Sequence, residues 1–242
     1  MSEDISARKG ISAVTLKWIA LITMTIDHFV ASGLFSQLAY GGMEHMAMGD
    51  IGYMLLRLVG RLAFPIYCFL LTEGFRYTHS RERYALRLGI FALISEIPFD
   101  LAASWRLWDW SHQNVFFTLL FGLLALMLAD PLYEKGEQRK AFFIVLGFAL
   151  AAELLRTDYG FFGVAVIAAM HFLRERTVEK YLISTGLLMG ASTLEVAALP
   201  AFGLMHCYDG RQGRQSRAMR LLFYWYYPLH LLVFGLAVRW LG

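Results

Sequence analysis

The chain has 242 residues, 58% of them hydrophobic and only 17% charged, against roughly 25% charged residues in a soluble domain, and this excludes an ordinary water-soluble fold. The formal net charge of +3 does not point to nucleic acid, because the positive residues sit in short loops between apolar blocks, where membrane orientation accounts for them. Cys68 and Cys207 lie in or beside apolar stretches without ligand spacing, so neither a disulfide framework nor a metal site is expected.

Measured against the roughly 20 apolar residues that cross a bilayer, the chain divides into successive spans. The first, Val14–Phe35, is too long for the apolar core of a secretory signal and lacks a small-residue cleavage site, so it reads as a retained helix. Ile51–Phe75, Tyr84–Ala103, Val115–Leu132, Lys140–Leu155, Tyr159–Leu173, Tyr181–Met205 and Leu221–Leu241 follow. They predict an all-α, polytopic transmembrane bundle of about eight spans, within a range of about seven to ten. With no repeat and no soluble unit, residues 1–242 form a single membrane domain.

Loop charge sets the orientation. Arg76, Arg81 and Arg83 follow the second span, Lys135, Arg139 and Lys140 the fourth, and Arg174, Arg176 and Lys180 the sixth, whereas the first loop carries Glu44 and Asp50 and no Lys or Arg. These basic loops are expected on the cytoplasmic side, with Arg8 and Lys9 placing the N-terminus there too. Parity then fails at Arg211, Arg214, Arg217 and Arg220, the most basic loop, which should lie outside. Either Tyr181–Met205 is a broken pair of helices around Glu195 and Pro200, or these arginines face outward.

Ionisable residues within spans are costly and are functional candidates by default. Lys17, Asp27 and His28 occupy the first span, Arg57, Arg61 and Glu73 the second, and Arg87, Glu96 and Asp100 the third, while His230 closes an aromatic run in the last. They can form structural ion pairs, such as arginines of the second span against carboxylates of the third. Their density instead suggests a polar intramembrane cavity, lined by Arg57 with Arg61 and by Glu96 with Asp100, each pair four residues apart on one helical face. Lys17 and His28 are separated by eleven residues, which brings them within about 20° of one face and roughly 16 Å apart along the axis. That separation is on the order of an extended pantetheine arm. A lone lysine near a helix end also snorkels to the interface, and His28 could equally be a satisfied bundle histidine.

At these residues the chain resembles the TraX family, from Leu16 to about Phe234. The resemblance rests on Leu16 and Lys17 with Met24, Asp27 and His28, then Arg61–Ile66 (RLAFPI) and Glu73–Phe75 (EGF). Ser95–Asp100 (SEIPFD), Asn114–Thr118 (NVFFT), Asp158–Gly160 with Gly163 and Val164, and Phe223–His230 (FYWYYPLH) follow in order. It implies an N-acetyltransferase of the bacterial cytoplasmic (inner) membrane that takes acetyl-CoA and acetylates an amine, such as a pilin N-terminus or another envelope molecule. Its partners are then acyl-CoA, the amine acceptor and membrane lipid, with no nucleic acid. The Lys17 and His28 pattern is also similar to the first helix of other transmembrane acyltransferases.

Where a Tyr-x-Gly-x-Arg-Gly turn is expected, this chain has Tyr208, Gly210, Arg211, Gly213 and Arg214. Arg211 and Arg214, with Lys17, are the candidates for holding the phosphates of acetyl-CoA, although a plain positive loop reads the same way. His28 is the candidate general base, with Asp27, Glu73 and Asp100 as carboxylates that could orient it and Asn114 or Arg61 as oxyanion donors. A covalent acetyl-imidazole relay fits the same residues. A proton-coupled transporter and a structural subunit of a conjugation or secretion apparatus are the rival readings, the first weakened by the lack of two related halves.

Overall fold

The computed structural model describes residues 10–242, apart from the side chains at 44 and 45. Arg8, Lys9 and the Glu44 side chain, which entered the orientation argument, lie outside the described residues. Among the described residues the chain is helical, without named strands.

Helix α1 (Ala13–Ala31) starts where Ser12 accepts a hydrogen bond from the Thr15 amide at 3.3 Å. It stops short of the expected Phe35 because Gly33 takes a left-handed φ of 84°, turning the chain into α2 (Leu34–Tyr40) and α3 (Glu44–Met48). The second span is two helices, α4 (Ile51–Gly60) and α5 (Ala63–Tyr77). Pro65 fits the joint: it lacks an N–H and its ring crowds the carbonyl four residues back, and it sits in the first turn of α5. Helices α6 (Arg81–Ser104) and α7 (Val115–Glu134) are capped by Ser80 and Asn114, and α8 (Gln138–Leu154) and α9 (Gly160–Phe172) follow.

The segment expected as one span, Tyr181–Met205, is instead a broken pair. Helix α10 (Thr177–Ala191) ends at an extended Ser192, a 3-10 turn (Thr193–Ala198) follows, and α11 (Leu199–His206) returns with Pro200 in its first turn. Helix α12 (Arg217–Leu241) closes the bundle.

Four segments are long and apolar enough to cross a membrane by length and composition: Ala13–Ala31, Ile51–Tyr77, Val115–Glu134 and Arg217–Leu241. Large apolar side chains such as Leu86, Leu93, Leu128, Phe142, Leu182, Val233 and Trp240 point outward, the surface a lipid solvent requires. The core runs between α1, α5, α7, α9 and α12.

The return of α11 removes the parity problem. The Ile11 amide bonds the Cys207 carbonyl at 2.8 Å, the Ala13 amide bonds the Arg211 carbonyl at 2.9 Å, and Tyr208 packs on Phe69 in the middle of α5 and lines a cavity with Glu73, Arg76 and Tyr77 at its end. The basic turn therefore shares one end of the bundle with the start of α1 and the end of α5. Arg81, Asp130 and His171 meet at that end as well. At the other end the Gln113 amide bonds the Arg156 carbonyl at 2.9 Å, the Trp105 indole bonds the Ser32 carbonyl at 3.2 Å, and the Gln37 amide bonds the Leu241 carbonyl at 2.9 Å.

This placement has a direct test. With Cys207 replaced by Ser, single cysteines introduced as Lys135→Cys and Gly210→Cys should react with a membrane-impermeant maleimide from the same side. Labelling from opposite sides would refute the return of α11.

Candidate functional site

Lys17 and His28 do share a face of α1, and it is the face against α12. The Lys17 ammonium lies 5.7 Å from the centre of the Phe223 ring. One turn short of His28, the Thr25 and Tyr226 hydroxyls are hydrogen-bonded at 2.8 Å. His28 and His230 stack, with ring centres 5.0 Å apart and planes 12° from parallel, and Nδ1 of His28 meets Nε2 of His230 at 2.7 Å.

The tautomers of this pair follow from one fixed partner. Nδ1 of His230 lies 2.7 Å from the Tyr226 carbonyl, which can only accept, so that nitrogen carries the proton. Nε2 of a neutral His230 is then the acceptor, and Nδ1 of His28 must donate to it. Nε2 of His28 is left with its lone pair. No carboxylate of the expected set, Asp27, Glu73 or Asp100, hydrogen-bonds the His28 ring; the group beside it is a second imidazole.

Asp27, one residue earlier, points to the other side of α1, as the 100° step of a helix dictates. One of its oxygens accepts from Arg57 at 2.6 Å and from Arg61 at 2.5 Å. Arg61 also donates to Glu195 at 2.9 Å and lies 3.3 Å from the Tyr159 hydroxyl, which itself donates to Glu195 at 3.0 Å. Tyr159 stacks flat on Phe64 with ring centres 3.6 Å apart. Gly60 is needed because a Cβ there would strike the Asp27 side chain. The network is nearly dry, with Arg61 12% and Glu195 1% exposed.

Arg57 and Arg61 thus pair with α1 and the 3-10 turn and not with α6, because α4 packs on α1 whereas α6 packs on α12 and α7. The α6 carboxylates serve the far loops. Glu96 accepts from the Asn114 amide and side chain, and Asp100 accepts from the Asp109 amide at 2.8 Å. Asn114, expected as an oxyanion donor, is spent: it caps α7 through the Phe116 amide at 3.0 Å and bonds the Ala92 carbonyl at 2.8 Å. Arg61 is likewise committed. Glu73 lies with Arg76 at the basic end, and Arg87 is exposed beside Tyr84 on the outer surface. The ionisable residues therefore form separate clusters and do not line one cavity.

Of the candidates for phosphate, Arg214 is exposed, while Arg211 is held by Asp209, with Nε at 2.8 Å and the terminal nitrogen at 2.5 Å. The hydrogen bonds from Arg211 keep the Asp209 carboxyl below the usual carboxylate range. Sequence reasoning missed Tyr159 and Glu195 as members of the charged network. The available signal was a carboxylate in an apolar stretch that needs a cation somewhere.

Two outcomes are expected. Arg61→Ala strands Glu195 as a buried charge and should cost about 3–5 kcal/mol of stability, read as a lowered unfolding midpoint in detergent, with Glu195→Gln in the same chain recovering part of it. In the far loop His112 lies 3.8 Å from Asp158, and the nearby carboxylate raises the imidazole above its ordinary value. A raised folded-state value stabilises fully below about pH 6.5, and the benefit is lost as pH rises through that folded-state value. The midpoint difference between the native chain and His112→Ala should therefore be larger at low pH and shrink at high pH.

The family model described as TraX protein matches residues 12–238. The chain is 32% identical over 244 residues to a "Probable fimbrial assembly protein FimC, serogroup H1" of Dichelobacter nodosus, covering 91% of this chain and 93% of that protein. No solved structure matches it.

Proposed function

Because the chain belongs to the TraX family, we propose that it is a pilus-related membrane N-acetyltransferase. It transfers acetyl from acetyl-CoA to an amine such as a pilin N-terminus, with His28 as general base. In this reading the bundle crosses the cytoplasmic membrane about seven times, at the low end of the expected range, α10 and α11 together making a re-entrant pair that does not cross, with its basic end in the cytoplasm. The observation that supports it most is the lone pair on Nε2 of His28, fixed by the chain of hydrogen bonds from His28 to His230 to the Tyr226 carbonyl.

The chemistry runs as follows. The neutral amine attacks the thioester carbonyl, Nε2 of His28 takes its proton, the C–N bond forms and the C–S bond breaks, and the imidazolium returns the proton to the leaving thiolate. His230 orients the ring and shares the positive charge through Nδ1 of His28. Asn114 and Arg61, both committed to other partners, do not serve the carbonyl oxygen. Lys17 lies on the same groove toward the basic end, roughly 16 Å from His28 along the axis, and holds the anionic part of acetyl-CoA. Asp27 positions the arginines and does not touch the reacting atoms.

The test is acetyl transfer from labelled acetyl-CoA to a peptide amine by protein in vesicles. His28→Ala should lower kcat by about 10²–10⁴-fold with insertion unchanged. His230→Gln, whose side-chain carbonyl can still accept from Nδ1 of His28, should retain more activity than His230→Ala. Lys17→Ala should raise KM for acetyl-CoA with little change in kcat. Native turnover in His28→Ala would end the reading.

A further inference from the structure

A cavity of about 400 Å³ opens at the basic end, between the end of α5, the end of α9, the start of α10 and the end of α11. Its lining includes Glu73, Arg76, His171, Arg174, Lys180 and Tyr208. Several of its polar groups are buried without the partners that buried groups normally have. Lys180 is only 7% exposed and has no carboxylate within ion-pair distance among the described residues; its ammonium reaches the Arg174 carbonyl at 3.4 Å and lies 4.9 Å from the centre of the Tyr181 ring, with Glu73 of the same lining beyond ion-pair distance. The Tyr208 hydroxyl and Nδ1 of His171 are buried and have no partner of good hydrogen-bond geometry.

A buried ammonium with no carboxylate at ion-pair distance is costly, and the neighbouring groups are suited to relieve it with an anion. Arg76 and Arg174 are half-satisfied by Glu73 at 3.2 Å and by the exposed Glu175 at 3.4 Å. The other ring nitrogen of His171 donates to Asp130 at 2.7 Å, which leaves the buried Nδ1 of the neutral ring as an acceptor for a P–OH group. The first turn of α10 has no side-chain cap, and its Thr177 belongs to the lining, so a helix N-terminus adds its partial positive charge.

From these groups we infer that the cavity is a phosphoryl-binding site, recognising a phosphate ester or pyrophosphate through Lys180, the Tyr208 hydroxyl, Arg174 and Arg76. This site is distinct from the groove between α1 and α12 and does not depend on the acetyl-transfer reading. The phosphoryl group can belong to a soluble molecule or to a lipid headgroup, since the cavity lies at the end of the bundle.

Titration calorimetry with inorganic pyrophosphate, on protein in phosphatidylcholine nanodiscs, tests it. The native chain should bind, Lys180→Met should bind at least about tenfold more weakly for loss of a charged hydrogen-bonding group, and Lys180→Arg should stay near the native value. Tyr208→Phe, which removes only the hydroxyl, should weaken binding even if Lys180→Met fails to fold. If phosphatidylglycerol in the nanodisc displaces pyrophosphate, the natural occupant is a lipid headgroup; if it does not, the occupant is soluble. No binding by the native chain in either lipid, or equal binding by the native chain, Lys180→Met and Tyr208→Phe, would overturn the site. None of these outcomes depends on acetyl transfer, so failure here and failure of the catalytic reading are separable.

Discussion

The rest of the structure depends on how Arg61 is satisfied. A guanidinium that is 12% exposed in an apolar bundle cannot go unpaired, and it draws three other parts of the chain to itself: Asp27 of α1, the Tyr159 cap of α9, and Glu195 of the 3-10 turn. Replacing such a network by apolar packing often costs nothing in stability. What it provides here is position. It fixes the rotation of α1 about its axis, since Asp27 must face α4.

Fixing Asp27 also fixes His28. Consecutive residues on a helix point about 100° apart, so once Asp27 is turned to Arg57 and Arg61, His28 is turned to α12, where His230 and Tyr227 receive it. The ion pairs and the histidine pair are thus two sides of one geometric decision. The carboxylate that seemed a natural partner for the imidazole is needed elsewhere, and a second histidine, itself held in one tautomer by a backbone carbonyl, takes its place. A neutral partner leaves the His28 lone pair defined without adding charge to the groove.

What could be read from the sequence is what depends on spacing within one element. The shared face of Lys17 and His28 follows from eleven helical steps, while the break near Glu195 and Pro200 is legible only as one of two ways to restore the charge parity. What could not be read is pairing across the chain: Arg61 and Glu195 are 134 residues apart, and nothing local says that α4 packs on α1. Glu96, Asp100 and Asn114 looked like cavity residues for the same reason. A polar residue within a span has one sequence signature whether it lines a site or closes a loop, and Asn114 does the latter as a helix cap. The expected ends also erred where one residue decides, at Gly33 with its left-handed φ and at Pro65 in a first turn.

The broken pair of α10 and α11 follows from the same need to pair charge. A continuous helix through Glu195 would carry the chain to the far end. The 3-10 turn instead holds Glu195 inside, against Arg61 and Tyr159, and α11 returns eight residues toward the end where the chain began. That return brings Tyr208 beside Ile11 and Phe69 and collects the arginines of the following turn with the other basic loops. The Arg61 network therefore bears on both the orientation of His28, through Asp27, and the concentration of positive charge at the opposite end, through Glu195, so the two regions with chemical capacity lie at different depths of a single helical frame.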